Sequence, residues 1–290
     1  MRVGDRTLFL NLLSGLASSR EATARAVASL GDGKRVRTAS DDPVGARSAI
    51  AFRGRLAAIE GYGRSGAAAR TDLSTLDSVL GEVVNILSSV RAEAMAGASG
   101  TASDGNDARA ETIDAFRDQL VALANTQQNG RYLLGGTETL TPPFLADGTY
   151  QGNDAEVLAP VDTTSEVGAT IVGTRAFQDS GDLIGILTQL SADLRSGNLD
   201  GVAAALPSLD TAISGVSNVR ADVGTRMNTI DAFAIRHGDE SLRLAQSIAD
   251  IEDADLAQVA VDLSAAETQG AALSTTAARI LGRSLFDFLG

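Results

Sequence analysis

The sequence predicts a mainly α protein with one small β insertion. The expected form is an elongated helical rod whose N- and C-terminal helices pair, with a β-rich domain at the tip. Three observations carry this. Apolar residues recur at alternating spacings of 3 and 4 at both ends and in the interior, which aligns them on one helix face. The stretch 135–180 breaks that rhythm with Gly, Pro and β-branched residues. The composition is 44% apolar but only 4% aromatic, with no Trp, which suits slim helix pairs whose small side chains let axes approach.

Residues 1–40 form the first helix of a terminal coiled-coil domain. Phe9, Leu13, Leu16, Arg20, Thr23, Val27 and Leu30 make its stripe, and Gly31-Asp32-Gly33 stops it. Ser40-Asp41-Asp42-Pro43 then reads as a helix start, with Asp42 as cap and Pro43 at the first helical position. Residues 41–136 are the first half of the rod. Their stripes run from Leu73 through Leu76, Leu80, Val83, Leu87 and Val90 to Ala94, then through Ile113, Phe116, Leu120 and Leu123, with a Gly/Ser-rich link from Gly97 to Asn106.

Residues 137–180 are the β-rich insertion, holding three of the five prolines. Helix returns at Asp182, turns at Gly197-Asn198, and continues in a stripe from Ile213 to Ile248, so 181–255 are the second half of the rod. Unbroken, a helix over 209–285 would extend about 110 Å at ~1.5 Å per residue. Gly238 and Asp253-Ala254-Asp255 are the expected places for a bend or break. Residues 256–290 are the C-terminal helix, with Leu256, Val259, Leu263, Ala266, Gly270, Leu273, Ala277, Ile280 and Ser284 in register.

Both terminal stripes contain weak members, namely Arg20, Thr23, Gly270 and Ser284. The ends therefore need several neighbours, and contact with other subunits is expected at Phe9, Leu13, Leu16, Val27, Leu30, Leu256, Val259, Leu263, Leu273 and Ile280. Phe286 and Phe288, with Asp287 between them, read as a helix-end contact for a chaperone or subunit rather than a membrane anchor.

Charge and residue usage exclude much chemistry. The net charge of −13 repels nucleic acid and anionic membranes. It is uneven, since residues 1–60 are net +4 and leave −17 to the remainder. Without cysteine there are no disulfides, thiolate metal sites or Cys nucleophiles. The one histidine, His237, lies in an apolar stripe with no Ser or carboxylate motif, and reads as structural. Adjacent Asp41 and Asp42 do not face one point, and Gly135-Gly136 lacks the Lys-Ser/Thr of a phosphate loop. No catalytic residue, cofactor or metal is expected. No stretch reads as a membrane span, and the N-terminus reads as mature helix rather than a cleaved signal.

Four stretches in order carry a resemblance. They are Gly33-Lys34-Arg35-Val36 with Ser40-Asp41-Asp42-Pro43; Tyr132-Leu133-Leu134-Gly135-Gly136-Thr137 with Pro142-Pro143-Phe144 and Tyr150-Gln151-Gly152; Val223 to Asn228; and Ser284-Leu285-Phe286-Asp287-Phe288-Leu289. Together they resemble the flagellin superfamily of bacterial axial proteins, most closely its hook–filament junction branch. Val223 to Asn228 matches a turn into the returning rod helix. Gly33, Lys34, Arg35, Asp41, Asp42 and Pro43 match the structural signature after the first helix.

The resemblance implies a ring of copies outside the cell. That ring would join the hook, through an adjacent hook-associated protein, to the flagellin filament. It also implies type III export without a cleaved signal, and an export chaperone on the C-terminal helix. A filament subunit of the same superfamily and an intracellular coiled-coil scaffold are the alternatives.

Overall fold

The structure, a computed structural model, describes residues 2–99, 105–179 and 181–289. Within those ranges it defines the side chains of residue 7 and of 10–99, 105–179 and 181–279. In order the elements are α1 (Arg2–Asp32), α2 (Pro43–Ala98), α3 (Asn106–Ala124), β1 (Gln127–Gln128), β2 (Arg131–Tyr132), β3 (Leu158–Pro160), β4 (Glu166–Gly168), α4 (Gly173–Phe177), α5 (Leu183–Ser196), α6 (Leu199–Glu252) and α7 (Leu256–Leu289). The chain divides into two compact units. One holds the residues up to Ala57 and from Glu240 onward, and the other runs from Ala58 to Asp239.

The larger unit is built on the stripe of α2. Leu73, Leu76, Leu80, Val83, Leu87 and Val90 are fully buried there. They share one core with Ile113 and Leu120 of α3, Leu187 and Leu190 of α5, and Leu209, Val216 and Val223 of α6. Burying each such side chain contributes about 1.5–3 kcal/mol. The apolar stripes thus supply the energy, and ionic pairs set the register. Arg70 bonds Asp231 at 2.6 and 3.1 Å, Arg220 bonds Asp77 at 2.6 and 3.2 Å, and Arg91 bonds Asp210 at 2.5 and 3.5 Å. Numbers rise along α2 as they fall along α6, so the helices are antiparallel. These pairs are exposed and individually weak, but a bidentate fork tolerates little sliding.

The β residues do not form a unit of their own. Two short antiparallel hairpins, β1–β2 and β3–β4, lie between α3 and α4. The first begins at Gln127, ahead of the expected start at 137. Val161, Val167, Ile171, Phe144 and Phe177 enter the same core as the helices. The Phe144 ring lies 5.2 Å from Phe177 and 5.1 Å from Tyr150. Strands this short have too little apolar face to stand alone. The Gly135-Gly136 pair is a steric requirement: Gly136 has φ +70°, and a Cβ there would lie 2.4 Å from the Asn153 carbonyl.

Three expectations are corrected. Val223-Gly224-Thr225-Arg226-Met227-Asn228 is no turn, because it lies within continuous α6. Its Arg226 reaches the β segment instead, donating to Glu156 at 2.7 and 3.0 Å and to the Thr170 carbonyl at 3.2 Å. Asp222 joins that pair at 3.0 Å. Hydrogen bonds from Arg226 to these carboxylates hold its pKa above the usual value, against the opposing and larger single effect of burial. Gly238 also lies inside α6, so the break falls only at Asp253–Asp255. Finally, α2 is long and apolar enough by composition to cross a membrane. Its buried stripe gives that composition a partner inside the protein.

Leu80→Ala is expected to lower unfolding free energy by about 3 kcal/mol, since it empties a fully buried site. Leu140→Ala, at a side chain 82% exposed, is expected to change it by under about 0.5 kcal/mol. Urea unfolding followed by circular dichroism measures both.

Candidate assembly interface

The smaller unit holds the terminal helices and the loop between α1 and α2. Gly33, with φ +70°, ends α1 in the left-handed conformation that follows many helices. The chain then folds onto the α6–α7 junction. There the Glu252 side chain is only 8% exposed and accepts from Lys34 Nζ at 3.0 Å and Arg53 Nη2 at 2.6 Å. Its backbone carbonyl accepts from the N–H of Arg35 at 2.7 Å, and the Ala254 N–H donates to the Gly33 carbonyl at 2.8 Å. Arg35 Nη2 donates to the Ile251 carbonyl at 2.6 Å. One buried carboxylate therefore draws three segments together.

The two aspartates do separate jobs. Asp41 accepts from the N–H groups of Thr38 at 2.8 Å and Arg37 at 3.0 Å, which hold its carboxyl below the usual pKa. Asp42 accepts from the Gly45 N–H at 2.9 Å and caps α2, with Pro43 as its first residue. Arg37 closes back on Asp32 at 2.5 Å and depresses that carboxyl too. The signature Gly33, Lys34, Arg35, Asp41, Asp42 and Pro43 thus converges on one joint.

Terminal helices α1 and α7 pack antiparallel through small residues. Ser19, buried, donates its hydroxyl to the Ala266 carbonyl at 2.8 Å. A Cβ on Gly270 would lie 2.9 Å from Ser19 Oγ, and one on Gly15 would touch Leu273 at 3.4 Å. Ala26 and Ala266 are also buried. On α7 this is the expected register, with Val259, Leu263 and Leu273 half-buried. On α1 the contact line lies one residue off the expected stripe. The reason is steric: Gly15, Ser19, Ala22 and Ala26 place small side chains along one line of α1, which allows this approach.

On α1 the displacement leaves apolar side chains outward: Leu13 is 47% exposed, Val27 54% and Leu30 38%, while Leu16 is half-buried. Leu256, at the start of α7, is 51% exposed. Beside the seam lies a groove of about 490 Å³ lined by Ala22, Ala26 and Val259, with Arg25, Arg35, Asp255 and Asp262 around it. Phe9, Ile280, Phe286 and Phe288 lie outside the described side chains. Among the described residues, no group of three or more His, Asp or Glu is arranged to hold a metal ion. Ser19 and Glu252 carried no sequence signal, since each is a single polar residue in a helical pattern.

The sequence family described as the bacterial flagellin N-terminal helical region matches residues 5–139. Flagellar hook-associated protein 3 of Escherichia coli is 27% identical over 282 residues, covering 88% of this chain and 89% of that protein. The solved structure of Bacillus cereus FlgL is 26% identical with a TM-score of 0.61, covering 69% of this chain and 99% of the other. Residues 5–139 thus match the flagellin N-terminal helical region, and most of the chain is similar to FlgL-type proteins. These likenesses support a structural protein of the bacterial flagellum. Flagellin of Bacillus subtilis is 28% identical over 273 residues, covering 89% of each chain. The Gly33–Pro43 joint therefore lies within the span that matches the superfamily's N-terminal region.

Glu252→Ala is expected to loosen the joint without unfolding the larger unit. Lys34 and Arg53 are half exposed and can turn to water, so the cost is about 1–2 kcal/mol. Hydrogen exchange reads it as faster exchange at the Arg35 and Ala254 amides. Acid acts on the same loop with a defined sign. Asp32 and Asp41 have depressed pKa values, so their support is complete above the unfolded carboxylate value of about 3.9 and is lost as pH falls below it. Protection of the Arg37 and Thr38 amides is expected to hold at pH 5 and to fail below about pH 4.

Proposed function

We propose that this chain is an axial subunit that assembles with copies of itself into a ring at the hook–filament junction. The carrying observation is the apolar set left outward beside the small-residue seam, Leu13, Val27 and Leu30 on α1, with Leu256 exposed at the start of α7. Apolar side chains repeated along paired helices mark a surface completed by another chain. The name of the Escherichia coli relative, a hook-associated protein, supports placing that chain in the flagellum next to the hook. On this reading the partners are further copies, an adjacent hook-associated protein and flagellin. The role is mechanical, and catalysis has no part in it.

Export is proposed to proceed unfolded through the flagellar channel, with a chaperone on the C-terminal helix and no cleaved signal. The absence of cysteine supports this, because no disulfide can lock the chain before threading. The role of the terminal helices as one assembly domain, with Phe9, Leu16, Val259, Leu263, Leu273, Ile280, Phe286 and Phe288 in contact with neighbours, belongs to the same proposal. A filament-subunit role is the second reading, favoured by the 28% identity to Bacillus subtilis flagellin.

The double variant Val27→Glu/Leu30→Glu is expected to keep the helical circular dichroism of the monomer. In cells it should abolish motility, with flagellin recovered unattached in the medium. Normal filaments in that strain would refute the interface. Immunogold labelling separates the two readings, since a junction subunit is labelled at one band and a filament subunit along the whole length.

A further inference from the structure

We propose that the groove between α5 and α6 is a binding site for a primary alkylammonium group, held by Asp193. The groove measures about 370 Å³. Ile186 and Leu190 of α5 face it together with Ala204 and Ala205 of α6, so its walls are largely apolar. Asp193 is the one charged residue that lines it.

The residue is only 7% exposed. Its Oδ1 accepts from Gln189 Nε2 at 3.1 Å and from Asn198 Nδ2 at 2.9 Å. Both donors are neutral, and among the described residues no lysine or arginine pairs with this carboxylate. A largely buried charge met only by amides is costly. The other oxygen, Oδ2, takes no hydrogen bond from the described residues. It is also not sealed in, because the buried side-chain atoms without a partner there are Arg109 Nε and His237 Nε2. Oδ2 therefore keeps accessible surface. It lies against Gly201, which also lines the groove and where an added Cβ would come within 2.6 Å of it.

These facts select the ligand. Oδ1 is occupied twice, so the two-oxygen match of a guanidinium is not available. An ammonium needs one oxygen and brings further donors. Gln189 Oε1 and the Ser208 hydroxyl line the same groove as acceptors for them. A methylene stem covers the apolar walls, as lysine stems do on protein surfaces. The wider field has the right sign. Residues 58–239 hold 24 Asp and Glu against 11 Arg, so the larger unit carries the whole net charge of −13 and draws cations. The chain's single lysine, Lys34, already meets Glu252. The group therefore comes from a lysine of a different protein or from a free alkylamine.

The full chain is titrated with n-butylammonium chloride at constant ionic strength. The side-chain amide resonances of Gln189 and Asn198 are followed, since both groups donate to Asp193. A saturable shift is expected, with n-butylguanidinium about threefold weaker and n-butanol without effect. Asp193→Asn is expected to abolish binding while keeping the melting temperature, because its amide oxygen still accepts from both neighbours. Ala205→Leu, which fills a wall without altering charge, is expected to weaken binding and serves if the first variant misfolds. N-acetyl-lysinamide binding as tightly as n-butylammonium supports a lysyl side chain as the source. A response to n-butylammonium alone supports a free alkylamine. No saturable shift, equal affinity for the guanidinium or the alcohol, or unchanged binding in a folded variant overturns the proposal.

Discussion

The Glu252 carboxylate is the constraint around which the smaller unit is arranged. A carboxylate this buried is costly unless its charge is met by cations and directed hydrogen bonds. Lys34 comes from the loop after α1, and Arg53 comes from α2. Neither reaches Glu252 unless that loop lies against the end of α6. The backbone bonds from Arg35 to Glu252 and from Ala254 to Gly33 then follow from proximity. The joint also explains why the unit's boundary lies at Ala57 and Glu240 rather than at 40 and 255. The first turns of α2 and the last turns of α6 are tied to the terminal segment by Arg53–Glu252 and by Arg55–Glu240 at 2.9 Å.

A second constraint is the size of the residues between α1 and α7. Close approach needs Gly, Ala or Ser, and such residues bury little apolar area per turn. The seam is therefore specific in register and weak in energy. The large side chains that would strengthen it sit beside it, outward. The two ends are thus held together with little apolar area, and Leu13, Val27 and Leu30 stay outward. This is the reverse of the larger unit, where Leu73 to Val90 spend their full apolar area inside.

Helices, their limits and the main core were legible in the sequence because they depend on local spacing and on punctuation. Gly33, Asp42-Pro43, Asp182 and Gly197 each mark an end by backbone chemistry that does not depend on tertiary context. The α1 contact face was not legible. Its stripe of large residues has the right spacing, but spacing does not say whether a face meets the same chain or another. The turn expected at Val223–Asn228 rested on the resemblance, whereas the apolar spacing from Ile213 to Ile248 runs through it as helix. A single Gly inside a long helix costs only about 1 kcal/mol. The β segment's reliance on the helical core depends on long-range packing that no local pattern encodes.

The distribution of cations sharpens this picture. The chain has one lysine, Lys34, and its other permanently charged cations are arginines. Along α2 and α6 the arginines meet aspartates two oxygens to two nitrogens, a planar match that fixes register. At the joint the demand differs. Glu252 Oε2 already receives Arg53 Nη2 at 2.6 Å, and Lys34 Nζ approaches the same oxygen at 3.0 Å. A compact ammonium on a flexible stem shares an occupied oxygen without needing a plane of its own. Two arginines crowd one oxygen in the same way at Glu156, where Arg226 Nη2 at 3.0 Å and Arg175 Nη1 at 3.2 Å meet, but that carboxylate is more exposed than Glu252.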